Sequence, residues 1–449
     1  MDNTYQRRQI IKQGLSGLAG LSLFGLAGCT SSTSMNTLTN PVSAQPASGQ
    51  LHMLFWGSTT RDKLTRATFD QFHQQNPNFT ITSKYYAFID YFNKLDALIA
   101  SGNTPDLIQM DMRYIAQYVR RKQLLDLTEI IYNQTIDLSD FDPLLLTSCK
   151  VNNTVYGVPM GGNYQTAFYN TELVDRAGIG QPPATLTWDT LANYATNLTK
   201  ALGGTAYGTV DMSTDITLFE LWVRHRGKEM YTRDGQINFT QQDAGDWFNY
   251  WSNLRDVHGC LPWSLQKGMD VSGSPPDSSI VKGRAVMWFS LSNLYEAFQI
   301  AAHALSPTRT LAIMPPPAGG LGLYLKTSQL LSIAATTKYP QTAIKYTNFI
   351  LNDAGAIKKL GIERGIPGSA KALSLLQPQL TNVQRTIANY VTTVSSSGQT
   401  GVKTVLDPPG ASKVQDLLRS VANDIAAGNH SVSEGAQLFY TQAKKVAAG

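Results

Sequence analysis

Leu51-His52-Met53-Leu54-Phe55-Trp56 is an apolar run of strand length that stops at Gly57-Ser58, and the pattern of the next fifty residues decides the fold class. Residues 63–75 carry Leu64, Ala67, Phe69 and Phe72 at helical spacing, so the segment reads as strand, turn and helix. Pro77 ends that helix, Phe79-Thr80-Ile81-Thr82 begins a second strand, and Tyr91, Leu95, Leu98 and Ile99 share one face of a second helix. Ser101-Gly102-Asn103-Thr104-Pro105 breaks the chain again before Leu107-Ile108-Gln109-Met110, a third strand that ends in Asp111. Strand and helix alternating at this interval predict an α/β protein with parallel pairing, in which ligands bind beyond the carboxyl ends of the strands. Residues 56–61 and 111–114 fall at those ends.

Farther along, Thr187-Trp188-Asp189-Thr190-Leu191 opens a helix with a polar cap, and residues 244–254 set Trp247, Phe248, Tyr250, Trp251 and Leu254 at helical spacing. Rings so spaced belong to a core, and that role is assigned to Trp247 and Trp251. Ala285-Val286-Met287-Trp288-Phe289 reads as a strand, residues 342–351 and 414–426 as surface helices, and Pro315-Pro316-Pro317-Ala318-Gly319-Gly320 as a shaped loop.

The amino terminus has another character. Arg7, Arg8 and Lys12 precede a weakly apolar, Gly-rich stretch that closes on Leu26-Ala27-Gly28-Cys29. This resembles the lipobox of a bacterial lipoprotein, and Gln6-Arg7-Arg8-Gln9-Ile10-Ile11-Lys12 resembles a twin-arginine export signal. Residues 1–28 are therefore read as a signal peptide, Cys29 as the lipidated residue, and residues 29–50, rich in Ser, Thr, Asn and Pro, as a flexible tether. Removing the leader takes three basic and one acidic side chain from 37 and 32, leaving 34 and 31, a nearly neutral body with no basic stripe that would suit nucleic acid. About 420 mature residues exceed what one core supports, so two domains are expected. Cys149 and Cys260 read as structural thiols, and the six His residues show no metal-ligand spacing; no cofactor is expected.

Ala100-Ser101-Gly102-Asn103-Thr104-Pro105-Asp106-Leu107-Ile108 resembles the signature of the family 1 extracellular solute-binding proteins, the sugar-capturing components of ABC importers. Further stretches similar to that family come in order: residues 124–128, Tyr156-Gly157-Val158-Pro159, Phe168-Tyr169-Asn170, residues 187–189, Gly283-Arg284-Ala285-Val286-Met287 and residues 361–367. The resemblance implies a type II-like periplasmic-binding-protein fold of two lobes, each a doubly wound sheet flanked by helices, with the ligand cleft between them. Lobe 1 would take residues 51–162 and about 332–385, and lobe 2 residues 163–331 and about 386–449, with crossings near 160–165, near 328–332 and between 381 and 407.

The ligand residues it implies are Trp56, Ser58 and Arg61 at the first strand end, Asp111 at the third, and Asn163 and Gln165 at the first crossing. Trp222, Trp288, Ser290 and Asn293 join them, with Gly319, Gly320 and Tyr324 from the shaped loop and Arg364, which would contact ligand or pin the lobes. Residues 406–410 stand where such chains return to the cleft. Sugars present apolar C–H faces and a rim of hydroxyls, which call for aromatic platforms and hydrogen-bonding side chains, and the chain is 10% aromatic. The implied partners are a sugar or oligosaccharide, the transmembrane subunits of an ABC permease, and the membrane through the lipid anchor alone, with the body a monomer. The rivals are a secreted glycosidase, using Asp106 with Asp111 or Glu220 with a cleft Asp, and a tethered adhesin. A glycosidase needs two carboxylates flanking one bond, and the sequence singles out no such pair; nor does it hold a nucleophile elbow, phosphate loop or His-Glu-x-x-His.

Overall fold

The computed structural model describes residues 45–447, except 148, 268, 271–273, 399, 402 and 404. The leader, Cys29 and the tether as far as residue 44 lie outside the described residues. The expected tether ends early: the Gln45 side chain is docked, donating to the Thr342 hydroxyl at 2.8 Å and accepting from the Thr342 backbone N–H at 3.0 Å.

The opening run forms the strand Gly49–Trp56, paired in parallel with Phe79–Tyr86 in a register that sets Leu51 beside Ile81 and Trp56 beside Tyr86. Its other neighbour, also parallel, is Leu107–Met110. Leu51, Met53, Leu54 and Phe55 are all buried, the pattern of a strand covered on both faces. Ser58 caps the first helix, Thr59–Gln75, which is why it begins four residues before the apolar spacing does. The second helix, Phe88–Ala100, is tied down by Tyr91, whose hydroxyl donates to the backbone carbonyls of Leu54 and Gln109.

The sheet is completed by chain arriving from elsewhere, so it is mixed rather than wholly parallel. Its order is Phe79–Tyr86, Gly49–Trp56, Leu107–Met110, Lys326–Ile333, Val158–Asn163, and Lys326–Ile333 runs antiparallel to both neighbours. A second sheet has the order Leu311–Met314, Gln165–Asn170, Ala285–Leu291, Tyr207–Thr209. The chain changes sheets at Tyr164, between two strands. Its return is earlier than residues 328–332, because the whole of Lys326–Ile333 is paired in the first sheet.

Each sheet organises a lobe. The helix Ala354–Leu360 packs on Thr59–Gln75 in the first; Asn382–Ser396 packs on Tyr295–Leu305 in the second, and Ala411–Ala426 and Val432–Val446 pack on each other and on Gln241–Asp256. The second lobe's core is strongly aromatic: Trp188, Phe219, Trp222, Trp247 and Trp251 lie within it, with Trp247 and Trp251 wholly buried. Cys149 and Cys260 are buried thiols that are not joined in a disulfide, and burial pushes the pKa of Cys260 up. Among the described residues no helix is long and apolar enough to cross a membrane.

Candidate functional site

Trp56, Tyr86 and Asp111 stand together at or just past the carboxyl ends of the three parallel strands. Trp56 is half-buried within a group of rings, edge-on to Phe88 at 5.3 Å and to Tyr91 at 5.2 Å. Phe92 in turn stacks on Tyr114 at 3.6 Å. Phe88 is 41% and Ile89 78% exposed, so the strand ends carry an apolar wall that water reaches.

Beside the wall a chain of buried charges joins the lobes. The Asp111 carboxylate accepts from the Arg113 backbone N–H at 2.8 Å and lies 3.4 Å from Lys326 Nζ. The Arg113 guanidinium reaches across to the second lobe, donating to Gln415 Oε1 at 2.5 Å and lying 3.4 Å from Asp407. Lys403 Nζ meets Asp407 at 2.5 Å and Glu220 at 2.7 Å, and Glu220 also accepts from the Tyr324 hydroxyl at 2.7 Å. Arg113, Lys326 and Lys403 thus balance Asp111, Glu220 and Asp407, as buried charge must be balanced.

Burial alone would lower the pKa of Lys403, but Asp407 and Glu220 outweigh it and raise it well above its ordinary 10.5. Burial would likewise raise Asp407, and Lys403 and Arg113 outweigh it and hold it below its ordinary 3.8. The signs fix a stability plateau. A depressed carboxylate contributes stability that is present above about pH 4 and lost as pH falls through its folded value, whereas a raised lysine contributes stability lost only as pH rises beyond 10.5. Thermal unfolding at a series of pH values is expected to show no loss from this cluster between about pH 5 and about pH 10.

Asn163 and Gln165 flank the crossing, 1% and 2% exposed. Among the described residues Asn163 Nδ2 and both polar atoms of the Gln165 side chain have no hydrogen-bond partner, and neither does Asn293 Oδ1. Between them the Ser292 hydroxyl accepts from the Tyr164 N–H at 3.3 Å and lies 3.5 Å from Asn163 Oδ1. Buried amides without partners are uncommon, and these are the implied ligand residues with hydrogen-bonding capacity to spare. Ser290, partly exposed, sits opposite Thr166 in the same sheet.

The remaining expected contacts are placed differently. Ser58 spends its hydroxyl on the Arg61 N–H as a helix cap. Arg61 Nε meets both carboxylate oxygens of Glu363 at 2.8 Å, and its Nη1 donates to the Trp56 carbonyl. Arg364, 3% exposed, donates to Gln109, Gln329 and Thr65 within the first lobe. It therefore fastens the 361–366 loop to its own lobe rather than pinning one lobe to the other. Trp222 is core: its indole N–H donates to the Asp243 carbonyl, Trp188 and Trp247 meet it edge-on, and Arg226 lies over it at 3.9 Å. Trp288 packs on Phe298 of the flanking helix Tyr295–Leu305. Gly320 has φ +55°, and a Cβ there would lie 2.4 Å from the Arg224 carbonyl oxygen, so its role is close packing, as at Gly319 against His225. Tyr324 is buried; it meets the charge cluster through its hydroxyl on Glu220 and through Lys403, which lies 5.3 Å over its ring.

Arg113, Lys326, Lys403 and Asp407 carry no mark of this role in the sequence. Arg113, Lys326 and the pair Lys403 and Asp407 are separated from one another by tens to hundreds of positions and give no local signal of association; only the position of 406–410, where the chain returns to the cleft, hints at Asp407. The carboxylate pair Asp106 and Asp111 is ruled out by geometry. They lie at opposite ends of one strand, roughly 16 Å apart at strand rise, and Asp106 is occupied by the His52 N–H and the Thr337 hydroxyl.

Two lobes joined by crossing strands, with a polar cleft between them, are the architecture of a protein that closes on a solute. The model of the bacterial extracellular solute-binding protein family matches residues 56–357. The chain belongs to that family. Among solved structures, this solute-binding protein is similar to a family 1 extracellular solute-binding protein from Alicyclobacillus acidocaldarius, at 26% identity and TM-score 0.68 over 91% of this chain and 100% of that one. A periplasmic oligogalacturonide-binding protein from Yersinia enterocolitica has TM-score 0.77 at 21% identity, over 88% of this chain and 98% of that one. Among curated proteins, the lactose-binding protein of Rhizobium radiobacter is 24% identical over 199 residues, 44% of this chain and 46% of that protein. The solute-binding protein spans about two fifths to a half of the length of the curated relatives it matches.

Proposed function

We propose that this chain is the extracytoplasmic component of a carbohydrate ABC importer, held at the outer face of the cytoplasmic membrane by a lipid on Cys29. It captures a sugar or oligosaccharide by lobe closure and delivers it to the permease. The observation that carries the reading is the cleft itself: Arg113 of one lobe meets Asp407 and Gln415 of the other, so the lobes' approach is coupled to the groups between them. A ligand that bridges them favours the closed state by its differential affinity. Relatives named for binding lactose and oligogalacturonide support a saccharide.

In this reading the wall around Trp56 stacks on the sugar's apolar face, while Asp111, Asn163 and Gln165 bond its hydroxyls, replacing water almost one for one. The sugar leaves chemically unaltered. Asp111, Glu220 and Asp407 are each paired with a lysine or arginine, and Asp407 is depressed rather than raised, whereas a glycosidase requires a carboxylic acid that stays protonated.

A thermal-shift panel of mono- and oligosaccharides on the body from residue 45 onward tests the reading, since a ligand that binds only the folded form raises Tm. With the best hit, Trp56→Ala is expected to weaken binding by roughly three- to tenfold in calorimetry. Scattering should show the body compacting with ligand. No response to any saccharide, or an unchanged scattering profile at saturation, would count against the proposal.

A further inference from the structure

The cleft opens to solvent through a groove of about 730 Å³ that both lobes build, a volume within the range of small-ligand sites. One part of its wall is the end of the helix Ile115–Arg120 with the hairpin around Asn152 and Asn153, another is the turn 232–235, and Lys403 with residues 405–409 forms its floor. Among the described residues no aromatic ring lines it, so stacking, which serves at Trp56, cannot be how this part of the site reads its ligand.

Charge can. Lys150, from the hairpin, and Arg233, from the turn 232–235, both line the groove. Lys150 has no ion-pair partner among the described residues, and neither has Arg233. Against them stand two carboxylates. Asp407, on the floor, is already committed to Lys403 and Arg113, and Asp234 lies in its own turn, hydrogen-bonded to the Thr232 hydroxyl. The buried layer beneath is neutral, so the groove presents a surplus of positive charge.

We propose that the groove receives an anionic saccharide, one whose rings carry carboxylate or sulfate groups, with Lys150 and Arg233 as the residues that select for charge. The proposal rests on the carbohydrate-binding reading and narrows it. Charge-assisted bonds from the two residues to one ligand would make the anion itself part of what holds the lobes together.

The test compares matched pairs by calorimetry: trigalacturonate against its fully methyl-esterified form, and sulfated lactose against lactose, on the wild type and on Lys150→Gln/Arg233→Gln. Both side chains are exposed, so the double variant is expected to keep its Tm. The proposal expects at least one charged form to bind about tenfold tighter than its uncharged counterpart. That preference should fall to about twofold or less in the double variant, and shrink as sodium chloride is raised from about 20 mM to about 500 mM. The pair that shows the preference identifies carboxylate or sulfate as the anion. Uncharged forms binding as tightly as charged ones, or a double variant that keeps the preference, overturns the inference and leaves the saccharide reading standing. Silence from all four probes and from a neutral saccharide panel, with a response to amino acids or peptides, overturns both.

Discussion

Replacing Lys403 by methionine is expected to lower the unfolding free energy by about 3–5 kcal/mol, the cost of breaking a buried ion pair by removing one partner. Among the described residues Lys403 is the single cation that meets both Glu220 and Asp407, and all three side chains are at most 6% exposed. Asp407 keeps Arg113 when Lys403 is gone, whereas Glu220 keeps only the Tyr324 hydroxyl. The deficit should therefore fall mainly on Glu220 and depend on pH in a stated direction. A buried carboxylate left without its cation prefers to be protonated, so its folded pKa rises above its unfolded value, and the variant recovers part of its loss as pH is lowered toward about 5. Urea unfolding of wild type and variant at two pH values measures both effects. A loss under about 1 kcal/mol, or one that grows on acidification, would show that the cluster does not depend on Lys403.

Trp222→Ala should cost about 3–5 kcal/mol as well, for a different reason: it opens a cavity in the second lobe's aromatic core and leaves the Asp243 carbonyl without its indole donor. Saccharide affinity of the variant, measured at low temperature where it remains folded, should change by no more than about twofold, within the scatter expected for a residue outside the site. A ligand platform would behave in the opposite way, with affinity lost and stability nearly kept. Trp56 is the contrasting case, half-exposed at a strand end and expected to change binding more than folding.

The difference between these two tryptophans shows where local pattern stops being informative. Trp56 is placed by its immediate neighbours, because it ends an apolar run and a turn comes next, so the strand's carboxyl end is known before any tertiary contact is. Trp222 lies on the helix Ile216–His225, where spacing cannot say whether a ring meets the core or the cleft. Its neighbours Trp188 and Trp247 come from other helices and appear only once those helices are packed. Arg364 and Arg61 behave alike: each has donors suited to a sugar, and each is engaged by residues about 35 to 300 positions away.

The alternation of strand and helix from residue 51 to Asp111, the capped helices and the family are legible in the amino-acid order, because periodicity, turn residues and caps act over a few residues. The mixed order of the first sheet, the pairing of Lys326–Ile333 within it, and the meeting of Arg113, Lys403 and Asp407 are settled only when the chain is packed. The pairing of strands far apart in the chain and the mutual neutralisation of buried charges are contacts that exist only after the chain has crossed from one sheet to the other and returned.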